Sequence, residues 1–175
     1  MNNQAVGLGS RQAKLIFYIA NRPPLPAYQQ LTNVNTLAKG DIANICTATG
    51  NHWRKVFNVY AKLLFELAPK RYASWQALRD EALLQAGHEH CLLFSAPKLT
   101  YHQSDSHSPK ALHIIIGKGY AEQLGLSQNC TWLNEYFAIN ESLAVIICPY
   151  FDYRQLSNKK ISQLVALIRQ LSTHP

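Results

Sequence analysis

The residues Tyr150 to Arg154 form a compact group of chemically useful side chains. The segment reads Tyr-Phe-Asp-Tyr-Arg, so one carboxylate, one guanidinium and three aromatic rings occur in succession. It follows the continuous apolar run Leu143 to Cys148, which is typical of a strand buried on both faces. In open α/β sheets, ligands bind just beyond the carboxyl ends of parallel strands. We therefore expect the functional site at this segment.

The segment Gly117-Lys118-Gly119 is a second candidate, because it follows the apolar run Ala111 to Ile116. Glycines at a strand-to-helix turn allow the backbone to approach a phosphate. The segment is much shorter than a P-loop, which requires a longer glycine frame followed by Lys and Ser or Thr. A tight turn without a ligand is therefore the alternative interpretation.

The elements that must position these residues alternate between strands and helices. Apolar, β-rich runs predict four strands, at residues 14–20, 91–96, 111–116 and 143–148. Apolar residues at helical spacing predict a long helix over residues 49–67, and shorter patterns predict helices over 74–86, 120–124 and 158–171. Four buried strands alternating with helices predict an α/β fold with three αβα layers around a four-stranded parallel sheet.

The segments between these elements are expected to be irregular. Residues 1–12 are interpreted as a loose leader, and residues 25–48 as a long connection rich in Pro, Asn and Thr. Residues 98–110 are polar and predict a surface loop. Residues 127–142 predict a connection with one helical turn near 132–137. We expect the whole chain, 1–175, to be a single domain.

Composition narrows the class of protein. Apolar residues make up 47% and charged residues 15% of the chain, which is ordinary for a globular domain. No apolar run approaches the roughly 20 residues of a membrane span, and the N-terminus lacks the pattern of a signal peptide. We therefore expect a cytoplasmic protein that does not enter a membrane. The net charge of +7 suits a polyanionic partner such as DNA.

The cysteine pattern indicates neither a disulfide framework nor a metal site. Cys46, Cys91, Cys130 and Cys148 are not paired at metal-ligand spacing, so buried free thiols are expected. The group His88-Glu-His-Cys91 is interpreted as a turn from a helix into a strand, because structural zinc usually requires a second ligand pair. No metal and no cofactor are expected.

Three short motifs carry a resemblance to a known superfamily. The first predicted strand ends in Ile19-Ala-Asn-Arg-Pro23, the long helix opens with Gly50-Asn-His-Trp-Arg54, and the last strand continues into Cys148-Pro-Tyr-Phe-Asp-Tyr153. This arrangement resembles the uracil-DNA glycosylase superfamily, above all its branch acting on mismatched uracil and thymine. The third strand end, Ile116-Gly-Lys118, is similar to that family's penultimate strand end. The resemblance implies a parallel sheet with strand order 2-1-3-4.

The resemblance also implies roles for individual residues. Asn21 takes the place of the family's water-positioning asparagine, and Asp152 could orient a water or stabilise a sugar cation. Tyr150, Phe151 and Tyr153 could stack on a base or wedge into DNA. The residues expected at phosphates are Arg22, Arg54, Lys55, Gly117, Lys118, Gly119 and Arg154, and Asn51 and His52 belong to the family-like helix start.

Each of these roles has a structural alternative. Asn21 could cap the turn before Pro23, Asp152 could be an exposed loop acid, and the aromatic rings could pack over the end of the sheet. The basic side chains could simply be solvated. The chain also departs from the family pattern, because Ile19 replaces a glycine, Arg22 precedes the proline, and the last loop has no histidine.

Three hypotheses about function remain open, and the sequence does not decide whether the protein is an enzyme. The first is a glycosylase-like, hydrolase-type DNA repair protein that binds or excises a damaged or mismatched base. The second is an α/β enzyme that handles a small molecule or nucleotide with Gly117-Lys118-Gly119 and Asp152. The third is a glycosylase-fold binding module without catalysis, which the missing histidine favours.

Overall fold

The centre of the protein is a mixed β-sheet. A computed structural model describes residues 4–101 and 110–173. The strands within these residues are β1 (Gly7–Gly9), β2 (Leu15–Tyr18), β3 (Val34–Asn35), β4 (His90–Leu93), β5 (Leu112–Ile116), β6 (Thr131–Trp132), β7 (Ala138–Asn140) and β8 (Val145–Cys148). They form one eight-stranded sheet in the order β3-β1-β4-β2-β5-β8-β7-β6.

The prediction of a four-stranded parallel sheet is wrong. The four predicted strands correspond to β2, β4, β5 and β8, which are mutually parallel and lie together as β4-β2-β5-β8. On one side β1 adds to β4 in the antiparallel sense, and on the other side β7 adds to β8 in the same way. The additional strands have two or three residues each. Elements this short carry no hydrophobic period that a sequence could reveal.

Helices cover both faces of the sheet. They are α1 (Pro26–Gln29), α2 (Asp41–Thr49), α3 (Asn51–Leu67), α4 (Trp75–Glu81), α5 (Lys118–Gln123) and α6 (Asn158–Thr173), with a short 3-10 turn at Ser127–Asn129. Side chains alternate between the two faces of a strand. In β2, Phe17 joins the hydrophobic cluster that contains α2, α3, α4 and α6, whereas Tyr18 joins the cluster that contains α5. Both faces are therefore buried, which explains the apolar runs.

Several segments predicted to be irregular contain regular structure. The leader expected over residues 1–12 includes β1, whose three residues are buried. The connection expected over 25–48 contains α1, β3 and α2. The helical turn expected near 132–137 is replaced by the β6–β7 hairpin. The helix expected over 74–86 is shorter, although Ser74 caps it by accepting a hydrogen bond of 3.1 Å from the amide of Ala77. Most of the loop expected over 98–110 lies outside the described residues.

The carboxyl ends of β2, β4, β5 and β8 define one edge of the sheet, which we call the carboxyl edge. Helices α5 and α6 begin there because they follow β5 and β8. Helix α3 also begins there, since His52 at its start contacts Tyr150, two residues beyond β8. The turn of the β6–β7 hairpin projects to the same edge, because β7 starts opposite the end of β8. Among the described residues, none of the helices combines the length and hydrophobicity needed to cross a membrane.

Candidate functional site at the carboxyl edge

A hydrogen-bonded chain joins the loop after β2, the start of α3 and the loop after β8. The Tyr150 hydroxyl donates to Oδ1 of Asn21 over 3.1 Å. Nε2 of His52 lies 2.7 Å from the same hydroxyl oxygen. With the hydroxyl proton directed to Asn21, His52 is the donor to Tyr150 through Nε2–H. Oδ1 of the Asn21 side chain has a second lone pair, so it can still accept a hydrogen bond from a water or a ligand.

Asp152 is the centre of a group of charged side chains beside the hydrogen bonds of Asn21, Tyr150 and His52. Its carboxylate lies 3.0 Å from the guanidinium of Arg154 and 3.5 Å from Nζ of Lys55, and it accepts a hydrogen bond of 2.9 Å from the amide of Arg154. The hydrogen bonds from Arg154, supported by the positive charge of Lys55, hold the pKa of Asp152 well below its usual range. A carboxylate with such a low pKa is a weak base. The contacts of Asp152 instead hold the side chains of Lys55 and Arg154 in position.

The three aromatic residues after β8 have different environments. Phe151 is fully buried and packs against Phe17 and Tyr60, with ring centroids 5.9 Å and 5.6 Å away. Its side chain is therefore a core residue that does not reach the surface. Tyr150 is half-buried, and burial raises the pKa of its hydroxyl. Tyr153 is 57% exposed, so its ring is accessible for stacking.

The Arg22 side chain binds backbone carbonyls of the segment that follows β2. One guanidinium nitrogen lies within 3.3 Å of the carbonyl oxygens of Tyr28, Gln29 and Leu31, and the guanidinium carbon is 5.6 Å from the ring centroid of Phe94. Tyr28 and Gln29 are the last residues of α1 and Leu31 follows the helix, in a region where carbonyls lack the regular i to i+4 partners of a helix. The contacts assign Arg22 a structural role, which the sequence motif did not reveal.

The Gly117-Lys118-Gly119 segment is the turn between β5 and α5. Gly117 has a φ of +103°, a conformation that favours glycine, and its amide donates to the carbonyl of Cys148 over 2.9 Å. This amide is thus used by the sheet. Lys118 is exposed, and its Nζ lies 4.8 Å from the ring centroid of Trp132. Of these three residues, Lys118 is the one whose side chain carries a charge that can attract an anion.

A groove runs along the exposed face of α3 next to Tyr153. Its volume is about 170 Å³. The residues lining it are Asn51, Arg54, Lys55, Asn58, Val59, Lys62 and Tyr153. Arg54 is exposed and lies 3.4 Å from Oδ1 of Asn51. Lys62 was not among the predicted site residues, although its spacing from Lys55 and Asn58 places it on the same helix face.

The starts of the three helices at the carboxyl edge share one charge pattern. In the described parts of α3, α5 and α6, the first turn contains no acidic residue. Basic residues are present instead near each start: Arg54 and Lys55 in α3, Lys118 in α5, and Lys159 and Lys160 in α6. The positive end of a helix dipole normally favours acidic side chains. The pattern therefore concentrates positive charge at this edge. The phosphate-binding residues predicted from the sequence did not include Lys159 and Lys160, although the charge pattern at the start of the last predicted helix could have indicated them.

A larger concavity lies at the opposite edge of the sheet. Its volume is about 470 Å³, and its lining residues are Gly9, Ser10, Arg11, Gln12, Val34, Asn35, Thr36, Ala86 and Gly87. The one charged residue of this lining, Arg11, donates through Nε to the carbonyl of Val34 over 3.1 Å. The predicted site residues lie at the other edge, so size alone does not identify the functional surface.

The His88-Glu-His-Cys91 group leads into β4, and its second histidine is part of the core. His90 is 8% exposed, and its Nε2 accepts a hydrogen bond of 2.9 Å from the amide of Leu84. Burial lowers the pKa of His90 to about 3. All four cysteines are free. Within residues 4–101 and 110–173, no group of three or more His, Cys, Asp or Glu side chains is placed to hold a metal ion.

Comparisons with known proteins identify a family. No curated protein and no solved structure matches the chain. Residues 6–169 match the family described as "Family of unknown function (DUF6942)". The match includes every strand and the residues of the carboxyl edge described above. On this evidence, the chain belongs to the DUF6942 family.

Proposed function

We propose that this protein binds DNA at its carboxyl edge and is a glycosylase-like binding protein. The observation that carries the proposal is the charge pattern of α3, α5 and α6, whose starts carry basic residues and no acidic residue in the first turn. Lys and Arg side chains that neutralise phosphates supply most of the non-specific affinity for DNA. The net charge of +7 supports the same conclusion.

The proposal is binding rather than base excision. Excision requires a group that activates water or stabilises a sugar cation. Asp152, the candidate carboxylate, is paired with Lys55 and Arg154, and its pKa is lowered by these contacts. The loop after β8 also lacks the histidine of the family it resembles. In this proposal Asp152 positions two cations, and Asn21 is a hydrogen-bonding group beside the bound DNA.

Fluorescence anisotropy with a labelled DNA duplex, recorded at several salt concentrations, tests the proposal. We expect affinity to fall steeply with salt, because phosphate contacts release counterions. The variant Lys118→Ala/Lys159→Ala removes two exposed cations at the carboxyl edge. It should weaken binding and reduce the slope of log K against log salt by about two.

The matched control is Lys39→Ala/Lys70→Ala, which removes two exposed cations away from this edge. Lys39 precedes α2, and Lys70 follows the far end of α3. The control should bind like the wild type. Equal losses in the two variants, or binding that is independent of salt, would overturn the proposal. Base release from uracil-containing and mismatched duplexes should be at the level of the solution without protein, and efficient release would show that the protein is an enzyme.

A further inference from the structure

We propose that the groove on α3 binds a single-stranded stretch of nucleic acid, with one base stacked on Tyr153. This inference rests on the proposed DNA binding and specifies the form of the ligand. Non-specific single-strand sites combine a positively charged groove with aromatic side chains on which bases stack. The groove has both features, as the contacts at its lining residues Tyr153 and Lys62 show.

One lining residue of the groove is Tyr153, whose ring lies beside Lys55. The ring is 57% exposed, yet it is held by two cations, because Nζ of Lys55 and the guanidinium carbon of Arg154 lie 5.4 Å and 5.9 Å from its centroid. Both cations are in turn paired with Asp152. The ring is therefore fixed in an accessible position with positive charge beside it. A nucleotide offers the matching groups, a π-face for the ring and a phosphate for the cations.

Next to the groove, beyond its lining residue Lys62, a second aromatic ring lies beside two cations. Nζ of Lys62 and the guanidinium carbon of Arg79 lie 5.1 Å and 5.5 Å from the ring centroid of Trp75. Arg79 also donates to Oδ1 of Asn58, which lines the groove, over 2.8 Å. Trp75 is half-buried, so part of its ring is covered by the core. Arg79 is also ion-paired with Asp80 at 2.8 Å, so this neighbouring surface offers the charge of Lys62 and a partly accessible aromatic ring.

The length of the groove favours a strand over a single nucleotide. Lys55 and Lys62 are two helical turns apart, which corresponds to about 10 Å along the axis of α3. This is about three times the 3.4 Å spacing of bases along one strand. Asn51 and Asn58 lie along the same face and offer amide groups that can donate and accept hydrogen bonds.

The chemistry of the groove favours single strands over duplexes. The groove-lining residues include three basic side chains and no acidic one, so phosphates are attracted to it. In a duplex, the faces of the bases are covered by their neighbours, and exposing one requires unstacking. In a single strand, the faces are accessible. Tyr153 should therefore contribute to single-strand binding and contribute little to duplex binding.

The experiment uses the full chain and a short oligonucleotide that contains a fluorescent adenine analogue whose emission falls on stacking. Wild-type protein should bind the single strand and quench the analogue. Tyr153→Ala should lower single-strand affinity by about tenfold and abolish quenching, with duplex affinity changed by less than about twofold. Tyr153→Phe retains the ring, so it should retain both affinity and quenching.

The control is Tyr101→Ala, which removes another tyrosine that is exposed, at 71%, and does not line the groove. It should leave single-strand affinity unchanged. If Tyr153→Ala binds and quenches like the wild type, while Lys118→Ala/Lys159→Ala weakens duplex binding, the groove inference is wrong and the proposed DNA binding stands. If the wild type binds neither form of DNA, both proposals fail.

Discussion

The Tyr150 hydroxyl donates a hydrogen bond of 3.1 Å to Oδ1 of Asn21, although the two residues are 129 positions apart in the sequence. Each residue follows a strand of the parallel core, β2 for Asn21 and β8 for Tyr150. These strands are separated in the sheet by β5. The carboxyl ends of parallel strands share one edge, and the length of the tyrosine side chain closes the remaining distance.

The first prediction concerns this bond. Asn21→Ala and Tyr150→Phe should each destabilise the fold, and the double variant should lose less than the sum, because both changes remove the same bond. We expect a coupling energy of about 1 kcal/mol. Urea denaturation of the wild type, the two single variants and the double variant measures it. In the control pair, Asn21→Ala with Tyr153→Phe, the effects should add. Additive effects in the Asn21–Tyr150 cycle would show that the bond contributes nothing.

The second prediction follows from the charges around Asp152. Asp152→Asn removes a negative charge and frees Lys55 and Arg154 from their ion pairs. Under the proposed function, DNA affinity at low salt should increase, by about threefold. Anisotropy titrations measure the effect, and stability should fall by no more than about 1 kcal/mol, since the pairs are near the surface.

Glu89→Gln is the control for Asp152→Asn. Glu89 is paired with Lys14 at 3.1 Å, next to the opposite edge of the sheet, and its replacement removes the same charge. DNA affinity should change less than with Asp152→Asn. Weaker binding by Asp152→Asn would contradict this prediction, because it would mean that the positioning of Lys55 and Arg154 by Asp152 contributes more to affinity than its negative charge costs.

The third prediction is a dependence of stability on pH that arises from His90. Burial lowers the pKa of His90 from its ordinary value of 6.5 to about 3, so between these values the unfolded state binds more protons. Its contribution to stability is complete above pH 6.5 and is lost as the pH falls towards 3. Between pH 7 and pH 5 the loss should be about 2 kcal/mol.

His90→Gln tests this dependence, because a glutamine oxygen can accept the Leu84 amide bond without titrating. Urea denaturation at pH 7 and pH 5 should show a smaller loss of stability in the variant than in the wild type. His88→Gln is the control. The pKa of His88 is also lowered, by burial and by Arg71, but this side chain is partly exposed. His88→Gln should therefore alter the loss of stability between pH 7 and pH 5 less than His90→Gln does. The same pH dependence in His90→Gln and the wild type would contradict the assignment.

The fourth prediction concerns the N-terminal strand. Gly9 in β1 has a φ of +109°, and a Cβ at this position would lie 2.6 Å from the carbonyl oxygen of His90. Gly9→Ala should therefore lower the free energy of unfolding by about 2 kcal/mol or more. Thermal denaturation measures the effect. Gly119→Ala is the control, since its Cβ would meet nothing within 4 Å, and it should be neutral or slightly stabilising. A Gly9→Ala variant as stable as the wild type would mean that β1 does not pack as described.

The sequence by itself determined the parallel core and the long helices. The runs that predicted strands correspond to β2, β4, β5 and β8, and the periodic patterns at 49–67 and 158–171 correspond to α3 and α6. Burial on two faces produces continuous apolar runs, and burial of one helix face produces a period of 3.6 residues. These signals extend over enough residues to be recognised locally. The additional strands are too short to produce them.

The arrangement of the candidate site was decided by the tertiary structure. Phe151 and Tyr153 are two positions apart in one loop, yet Phe151 is fully buried and Tyr153 is exposed. A loop has no repeating geometry from which this difference could be predicted. Arg22 similarly binds backbone carbonyls at the end of α1, whereas its sequence motif indicated a phosphate. Side chains in loops acquire their partners from chain segments distant in sequence, so only the folded chain shows which of them meet.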